Sequence, residues 1–310
     1  MNINILQGDC IETLQKLDDK SINTCITSPP YWGLRNYNDE EKQLGMEDTP
    51  EEFVDNLVKV FKEVKRVLRD DGTVWLNLGD SYSSGGRTTT TNQSLRGDKD
   101  YGVTRPKPSK GIKPKDLIGI PWRVALALQQ DGWYLRQDII WHKPNPMPES
   151  VKDRCTKAHE YIFLLSKNVK YYFDNEAIKE DAKFPEGPNS AHNIRKGSDD
   201  PKMRTRVGLN KIGANPKKNK RSVWTITTKP FKGAHFATFP MDLIEPCVLA
   251  GCPEGGTVLD PFGGSGTTGI VAVNHNRHAV LCELNQEYID LAKKRIEEQA
   301  GFLATINITK

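Results

Sequence analysis

Thr257-Val258-Leu259-Asp260-Pro261-Phe262-Gly263-Gly264-Ser265-Gly266-Thr267-Thr268 reads as a strand, a glycine-rich turn and the opening of a helix. The glycines permit positive φ and close backbone approach. Thr267 or Thr268 is placed to cap a helix over Gly269–Asn274, whose free N–H groups suit a carboxylate. The next apolar run, His278–Cys282, is strand-like and ends in Glu283. Ile289, Leu291, Ala292 and Ile296 then mark an amphipathic helix. Strand, turn, helix and strand in this order give the rhythm of a parallel α/β sheet. In such sheets ligands bind outside the carboxyl ends of the strands, and an acid after the second strand of the unit can accept both hydroxyls of a ribose. A dinucleotide-binding unit is the nearest rival. The spacing departs from G-x-G-x-x-G, however, and the acid arrives sooner than the usual ~20 residues. A P-loop is excluded, because no Gly-Lys-Ser/Thr is present.

Far upstream, Ser28-Pro29-Pro30-Tyr31-Trp32 marks a second turn after a strand. Ile22, Cys25 and Ile26 make Ser21–Thr27 a short buried strand. Two prolines end it, since proline has no N–H for the ladder and fixes its own φ. The carbonyls of Ser28 and Pro29 then stand clear of any helix, with a small hydroxyl before them and the flat ring of Tyr31 after. Such a site suits a planar group with an exocyclic amine: acceptors for its hydrogens and a ring for its face. An extruded nucleobase is such a group. Taken alone, a proline-rich turn with Tyr31 and Trp32 in the core explains these letters better. The pairing with 257–268 is what changes the balance.

The remaining chain keeps the βα rhythm. Asn2–Gln7 alternates as a strand and ends at Gly8-Asp9, where Asp9 caps the helix Ile11–Leu17, faces a ligand, or does both. A polar, irregular stretch follows over 35–46. Thr49-Pro50-Glu51-Glu52 opens a helix with a hydroxyl cap, an early proline and acids at the positive end of the dipole. Phe53, Leu57, Val60, Phe61, Val64 and Leu68 recur along it at helical spacing, and Asp71-Gly72 stops it. Thr73–Leu78 is the next strand, ending at Gly79-Asp80. Lys115–Gln130 reads as a helix with Ile118, Trp122, Leu126 and Leu128 apolar. Trp133–Trp141 and Glu160–Leu165 read as an antiparallel pair closing one edge of the sheet. Their link, His142–Pro148, holds three prolines and cannot be helical.

Two stretches break the rhythm. Residues 83–115 are rich in Ser, Thr, Gly and cations, and a long loop of this kind is functional or disordered. Residues 183–221 crowd cations, Arg195, Lys196, Arg204, Arg206 and Arg221 among them, with few apolar residues. A solvated loop and a grip on nucleic acid both fit that composition.

The 310 residues, 36% hydrophobic with six tryptophans, are enough for one large α/β domain with an insertion, and the formal charge is +4. None of the six cysteines forms a C-x-x-C pair, and Cys25 and Cys282 sit in apolar runs, as small buried hydrophobes in a reducing compartment do. Cys247 and Cys252 lack partners for a zinc set, so no metal is expected. No leader and no apolar run near ~18 residues is visible, so no membrane contact is expected.

Together the two motifs resemble those of the amino-group DNA methyltransferases that use S-adenosylmethionine. The resemblance covers most of the chain. Asp260–Gly266 looks like that family's cofactor motif and Thr27–Trp32 like its catalytic motif. Their order, catalytic motif first, is similar to the permuted beta class. The implied fold is α/β and Rossmann-like: a mostly parallel twisted sheet with helices on both faces, a circularly permuted motif order and a basic DNA-recognition insertion. The implied catalytic residues are Ser28, Pro29, Pro30 and Tyr31. For the cofactor, Asp9 with its neighbour Cys10 resembles the element at the adenine, and Glu283 the ribose acid. His235, Ala237 and Thr238, within His235–Pro240, resemble the segment along the methionine end. Asp260, Phe262, Gly264, Gly266 and Thr267 belong to the cofactor motif itself. The resemblance divides the chain into a catalytic part (1–174, carrying the loop 83–115), a target-recognition region (175–228) and a cofactor-binding part (229–310). The loop 83–115 matches no family motif.

Serine at the first catalytic position resembles enzymes that methylate N4 of a flipped cytosine in duplex DNA. Most adenine-N6 enzymes carry Asp or Asn there, and adenine N6 is the alternative. A non-catalytic module that binds cofactor and DNA is a further alternative, against which both intact motifs argue. RNA and protein methyltransferases usually show Asn-Pro-Pro-Tyr with the cofactor motif first. A Pro-Cys nucleophile is absent. The implied partner is double-stranded DNA, with a cognate restriction endonuclease as a compatible companion. The implied setting is cytoplasmic and nucleoid-associated, as monomer or homodimer.

Overall fold

The computed structural model describes residues 1–33, 43–83, 112–182, 216–228, 239–301 and 304–310. Strands and helices follow as β1 (Asn2–Gln7), α1 (Cys10–Gln15), β2 (Ile22–Thr27), α2 (Pro50–Val67), β3 (Leu68–Leu78), α3 (Ile120–Gln130), β4 (Tyr134–His142) and β5 (His159–Ser166). Then come the short strands β6 (Glu180–Asp181), β7 (Lys217–Lys218) and β8 (Val223–Thr225). The chain closes with α4 (Met241–Gly251), β9 (Thr257–Asp260), α5 (Thr267–Asn274), β10 (His278–Glu283), α6 (Gln286–Ala300) and β11 (Thr305–Thr309).

Among the described residues, nine strands form one sheet in the order β11-β1-β10-β9-β2-β3-β5-β4-β8. Only β5 runs against the others, antiparallel to both β3 and β4. Side chains alternate across the strands, so each strand feeds two cores. Cys25, Val74, Leu76, Leu259 and Cys282 share one core with the buried residues of α1, α2 and α3. On the other face α5 packs so closely that a Cβ at Gly269 would stand 3.1 Å from Leu281 and 3.6 Å from Ile3. Helices therefore cover both faces of a mostly parallel sheet, the Rossmann-like α/β architecture.

Local chemistry explains the elements. Thr49 caps α2 by accepting from the Glu52 N–H, and Pro50 occupies the first turn. Phe53, Leu57, Val60, Phe61 and Val64 are fully buried along its inner face. Each contributes roughly 1.5–3 kcal/mol of apolar burial.

The structure departs from the sequence expectation in four places. α2 ends at Val67, short of Asp71-Gly72, and Leu68, expected in its apolar stripe, is already extended and opens β3. α3 begins at Ile120, because Gly119 takes φ +78 and ends the preceding extended segment. Its buried residues are Ile120, Pro121, Val124, Ala125 and Leu128, whereas Trp122 and Leu126 are 39% and 49% exposed. Ile120, Val124 and Leu128 recur every four residues, and so do Ile118, Trp122 and Leu126, so spacing alone could not choose between them. The β4–β5 pair does not close the sheet edge. β8 lies beyond it, parallel to β4, and Ile140 N–H donates to Ser222 O. Finally, neither Thr267 nor Thr268 caps α5. Gly266 does, with φ +76 and no side-chain bond.

The chain divides into a main compact unit, Met1–Phe173 with Ser222–Lys310, and a small unit, Asp174–Arg221. In the small unit β6 and β7 pair antiparallel, setting Glu180 opposite Lys218 and Asp181 opposite Lys217. Among the described residues no helix is long and apolar enough to cross a membrane.

Candidate active site

β1, β10, β9, β2 and β3 are consecutive and parallel, so they end along one edge of the sheet. Asp9, Glu283, Asp260, Ser28–Tyr31 and Gly79-Asp80 follow those ends in spatial order. β4 also ends there, at His142, and the antiparallel β5 begins there, at His159-Glu160. With strands ~4.8 Å apart, β10 to β3 spans about 15 Å.

The two motifs, 233 residues apart, meet at this edge: Thr27 Oγ1 donates to Asp260 Oδ1 at 2.6 Å. The Asp260 carboxylate is buried and takes three bonds. Oδ1 also accepts from Phe262 N–H (3.1 Å), and Oδ2 from Thr268 Oγ1 (2.7 Å). Burial raises its pKa, and these three donors act against that rise. Asp260 thus fixes the start of the glycine turn and the first turn of α5.

Glu283, half-buried at the end of β10, accepts from Gly264 N–H at 2.8 Å and Asn285 N–H at 2.9 Å. Burial raises its pKa too, opposed by those bonds. Asp9 caps α1, its Oδ1 accepting from Ile11 N–H (2.9 Å) and Glu12 N–H (3.1 Å). Cys10 is buried in the core beneath, where burial pushes its thiol up. The Thr267 hydroxyl lies with Ser265 Oγ (3.4 Å) and the Arg295 guanidinium (3.1 Å). Phe262 packs partly buried against the core. Asp9, Glu283 and Asp260 together form a row of carboxylates on adjacent strands. Beside Glu283, in register with it, Gln7 Oε1 is a buried acceptor with no hydrogen-bond partner. His235, Ala237 and Thr238 lie outside the described residues, as does most of 83–115.

The second turn starts where the β2–β3 register ends, with Thr27 opposite Leu76. Pro29 is buried, while Ser28, Pro30 and Tyr31 are half-buried. Trp32 is buried and its Nε1–H donates to Glu47 O at 2.9 Å, anchoring the turn from behind. Glu47 is held in turn by Gly45 N–H and Asn56 Nδ2. Tyr31 reaches across the end of β3. A Cβ at Gly79 would stand 2.7 Å from its Cε2 and 3.0 Å from its hydroxyl oxygen. Its O–H donates to Glu160 Oε2 at 2.8 Å.

Sequence reading missed Gly79, Glu160, Lys143 and Asn77 as parts of this site. One signal was available for Glu160. An antiparallel strand beside parallel ones starts at the edge where they end, so a charged first residue belongs at the ligand edge. Thiol chemistry is not set up here. Burial raises the Cys252 and Cys282 thiols to about 12, and Cys25 is fully buried. Among the described residues no cluster of His, Cys, Asp and Glu could hold a metal ion.

Known proteins share both the sequence pattern and the fold. The pattern of the DNA methylase family matches residues 22–294. The Type II methyltransferase M.SmaI of Serratia marcescens is 51% identical over 295 residues, spanning 94% of this chain and 90% of its own. At the level of fold, the PvuII DNA methyltransferase (cytosine-N4-specific) aligns with a TM-score of 0.63 at 19% identity, covering 99% of this chain and 95% of that one. M1.HpyAVI in its SAM complex aligns with a TM-score of 0.54 at 19% identity, covering 94% and 99%.

Proposed function

This chain belongs to the DNA methylase family, and from that premise we propose that it transfers a methyl group from S-adenosyl-L-methionine to the exocyclic N4 of a cytosine extruded from duplex DNA. The observation that carries the reading is the Thr27–Asp260 hydrogen bond, which sets the Ser28–Tyr31 turn and the glycine turn side by side at one sheet edge.

The residues at that edge fit the cofactor by their donor and acceptor chemistry. Carboxylates accept from ribose hydroxyls and an adenine amine, and they favour a sulfonium cation nearby. Gln7 Oε1 is a spare buried acceptor beside them. In this reading Asp9 and Cys10 lie at the adenine and Glu283 at the ribose. Asp260, Phe262, Gly264, Gly266 and Thr267 shape the turn, and His235, Ala237 and Thr238 follow the methionine. The bound cofactor supplies a methyl group already activated by its positive sulfur.

The chain's own residues then have a positioning task. The carbonyls of Ser28 and Pro29 accept the two amino hydrogens, which turns the nitrogen lone pair outward. Pro29 and Pro30 hold those carbonyls in place, and Tyr31 stacks on the extruded ring. After transfer the amine loses one proton to solvent. No enzyme nucleophile takes part.

Ser28 supports cytosine, since serine at the first catalytic position resembles the cytosine-N4 enzymes, whereas most adenine-N6 enzymes carry Asp or Asn there. The test is nucleoside mass spectrometry of DNA from an unmodified host expressing the chain. N4-methylcytosine is expected. N6-methyladenine would reassign the base, and an absence of methylated base would remove the catalytic reading. The recognition region is proposed to lie in 175–228, and the implied partners are duplex DNA and a cognate endonuclease of the restriction–modification type.

A further inference from the structure

Tyr31 is held more tightly than a stacking platform requires. Its phenol O–H donates to Glu160 Oε2 at 2.8 Å. The same oxygen accepts from Asn77 Nδ2 at 3.3 Å, and Asn77 Nδ2 also donates to Tyr161 O at 3.1 Å. The other carboxylate oxygen, Oε1, is ion-paired with Lys143. The Lys143 and Glu160 side chains are only 18% and 14% exposed, and Lys143 Nζ sits 4.1 Å from the Trp141 ring centroid. Just past the end of β3, the strand between, Gly79 leaves the space that the phenol end of Tyr31 occupies.

These groups come from four parts of the fold: the turn after β2, β3, the end of β4 and the start of β5. Both oxygens of Glu160 are engaged, so the carboxylate cannot swing away from the phenol without leaving Lys143 or Asn77 behind. A hydrogen bond to an ionised acceptor is about twice as strong as a neutral one. A tyrosine has two side-chain torsions, so fixing its oxygen as well as its Cα leaves the ring little freedom. An incoming base then meets a ring already in place and does not carry the cost of ordering it.

We propose that Glu160 is a positioning residue for the reaction: held by Lys143 and Asn77, it fixes Tyr31 through the phenol oxygen so that the ring is preset to receive the extruded base. The proposal rests on Tyr31 being the ring that stacks on that base. A purely structural role, tying the end of β4 to the start of β5 through Lys143, would not involve the phenol, and that difference can be measured.

Tyr31→Phe, Glu160→Gln and the double variant are assayed against unmethylated genomic DNA, with kcat and both KM values determined. Tyr31→Phe keeps the ring and removes the bond. Glu160→Gln keeps the shape and an oxygen acceptor but removes the charge. Each single variant is expected to lower kcat about tenfold while KM for the cofactor stays within about twofold, as loss of one charge-assisted bond predicts. The double variant is expected to be no worse than the poorer single one, because both changes remove the same bond. Losses that multiply in the double variant, or wild-type kcat in either single one, overturn the proposal. Should Glu160→Gln fail to fold, Tyr31→Phe alone decides, and wild-type kcat there rejects it. Tyr31→Ala tests the underlying reading. Wild-type transfer by Tyr31→Ala removes Tyr31 from base capture and the proposal with it. Loss in Tyr31→Ala combined with multiplying losses in the cycle rejects only the role of Glu160.

Discussion

Asp260 carries an uncommon load for one side chain: a buried carboxylate with three donors, two of them hydroxyls from different elements. Burial penalises the charged form, and here it outweighs the donors, so the pKa stands above the ordinary 3.8. The consequence for stability has a definite sign. Above pH 3.8 the folded protein still binds a proton that the unfolded chain has released. The contribution of Asp260 to stability therefore falls as pH rises through the interval up to its raised value, then levels off. Urea unfolding of wild type and Asp260→Asn across that interval should show the difference, wild type minus variant, declining as pH rises. A difference that grows with pH would mean that the three hydrogen bonds outweigh desolvation. Asp260 was marked in the sequence only through the resemblance of Asp260–Gly266 to a family's cofactor motif. Its partner Thr27 was not marked as a site residue, since the two are 233 residues apart and no local pattern pairs their strands. Glu160 was hidden for a related reason: read along its own strand, it is only a charged residue before an apolar run.

Helices and strands were read well where a strong pattern met a clear signal at its end. α2 has a hydroxyl cap, an early proline and an apolar stripe, and these appear as read from Thr49 to Val64, whereas Leu68, the last residue of the expected stripe, belongs to β3. α4 gave no such signal, because Pro246 stands inside it and a proline argues against a helix interior. β8 has three residues, too few to show alternation, and it joins the sheet only through β4. α5 was recognised, but the start assigned to it was wrong: the threonines look like caps, while the backbone caps with Gly266. That choice has its own reason. A Cβ at residue 266 would stand 2.9 Å from Ala292 Cβ, and φ is +76. Only glycine lets α6 pack on the start of α5 with the turn in this conformation. Gly266→Ala should therefore cost at least about 1–2 kcal/mol in urea unfolding. It should also weaken cofactor binding by calorimetry, because the glycine turn moves with the helix. Unchanged stability and affinity would show that the turn can relax around a methyl group.

At the scale of the molecule, neighbouring strands are not neighbours in sequence. The Ser28–Tyr31 turn comes early in the chain and the glycine turn late, yet β2 and β9 are adjacent. Periodicity reveals that strands exist and says nothing about which pair, so the shared edge was suggested only by the resemblance to a permuted family. Charge is organised on the same scale. The chain carries a formal charge of only +4, but Arg195, Lys196, Lys202, Arg204 and Arg206 fall within twelve residues. They lie outside the described residues, and it is their charge that bears on binding. Cations that neutralise phosphates release counterions, and each neutralised phosphate adds about 0.9 to the slope of log affinity against log salt for duplex DNA. Replacing these five with alanine should weaken DNA binding whatever its sequence. It should also make that slope shallower by about 0.9 for each phosphate left without its cation, measured by anisotropy between about 50 and 200 mM salt. If they instead read bases, affinity for the cognate site should fall while the slope and the affinity for unrelated DNA hold. If both stay at wild-type values, the grip on DNA lies elsewhere on the chain, and the cationic stretch serves only solvation.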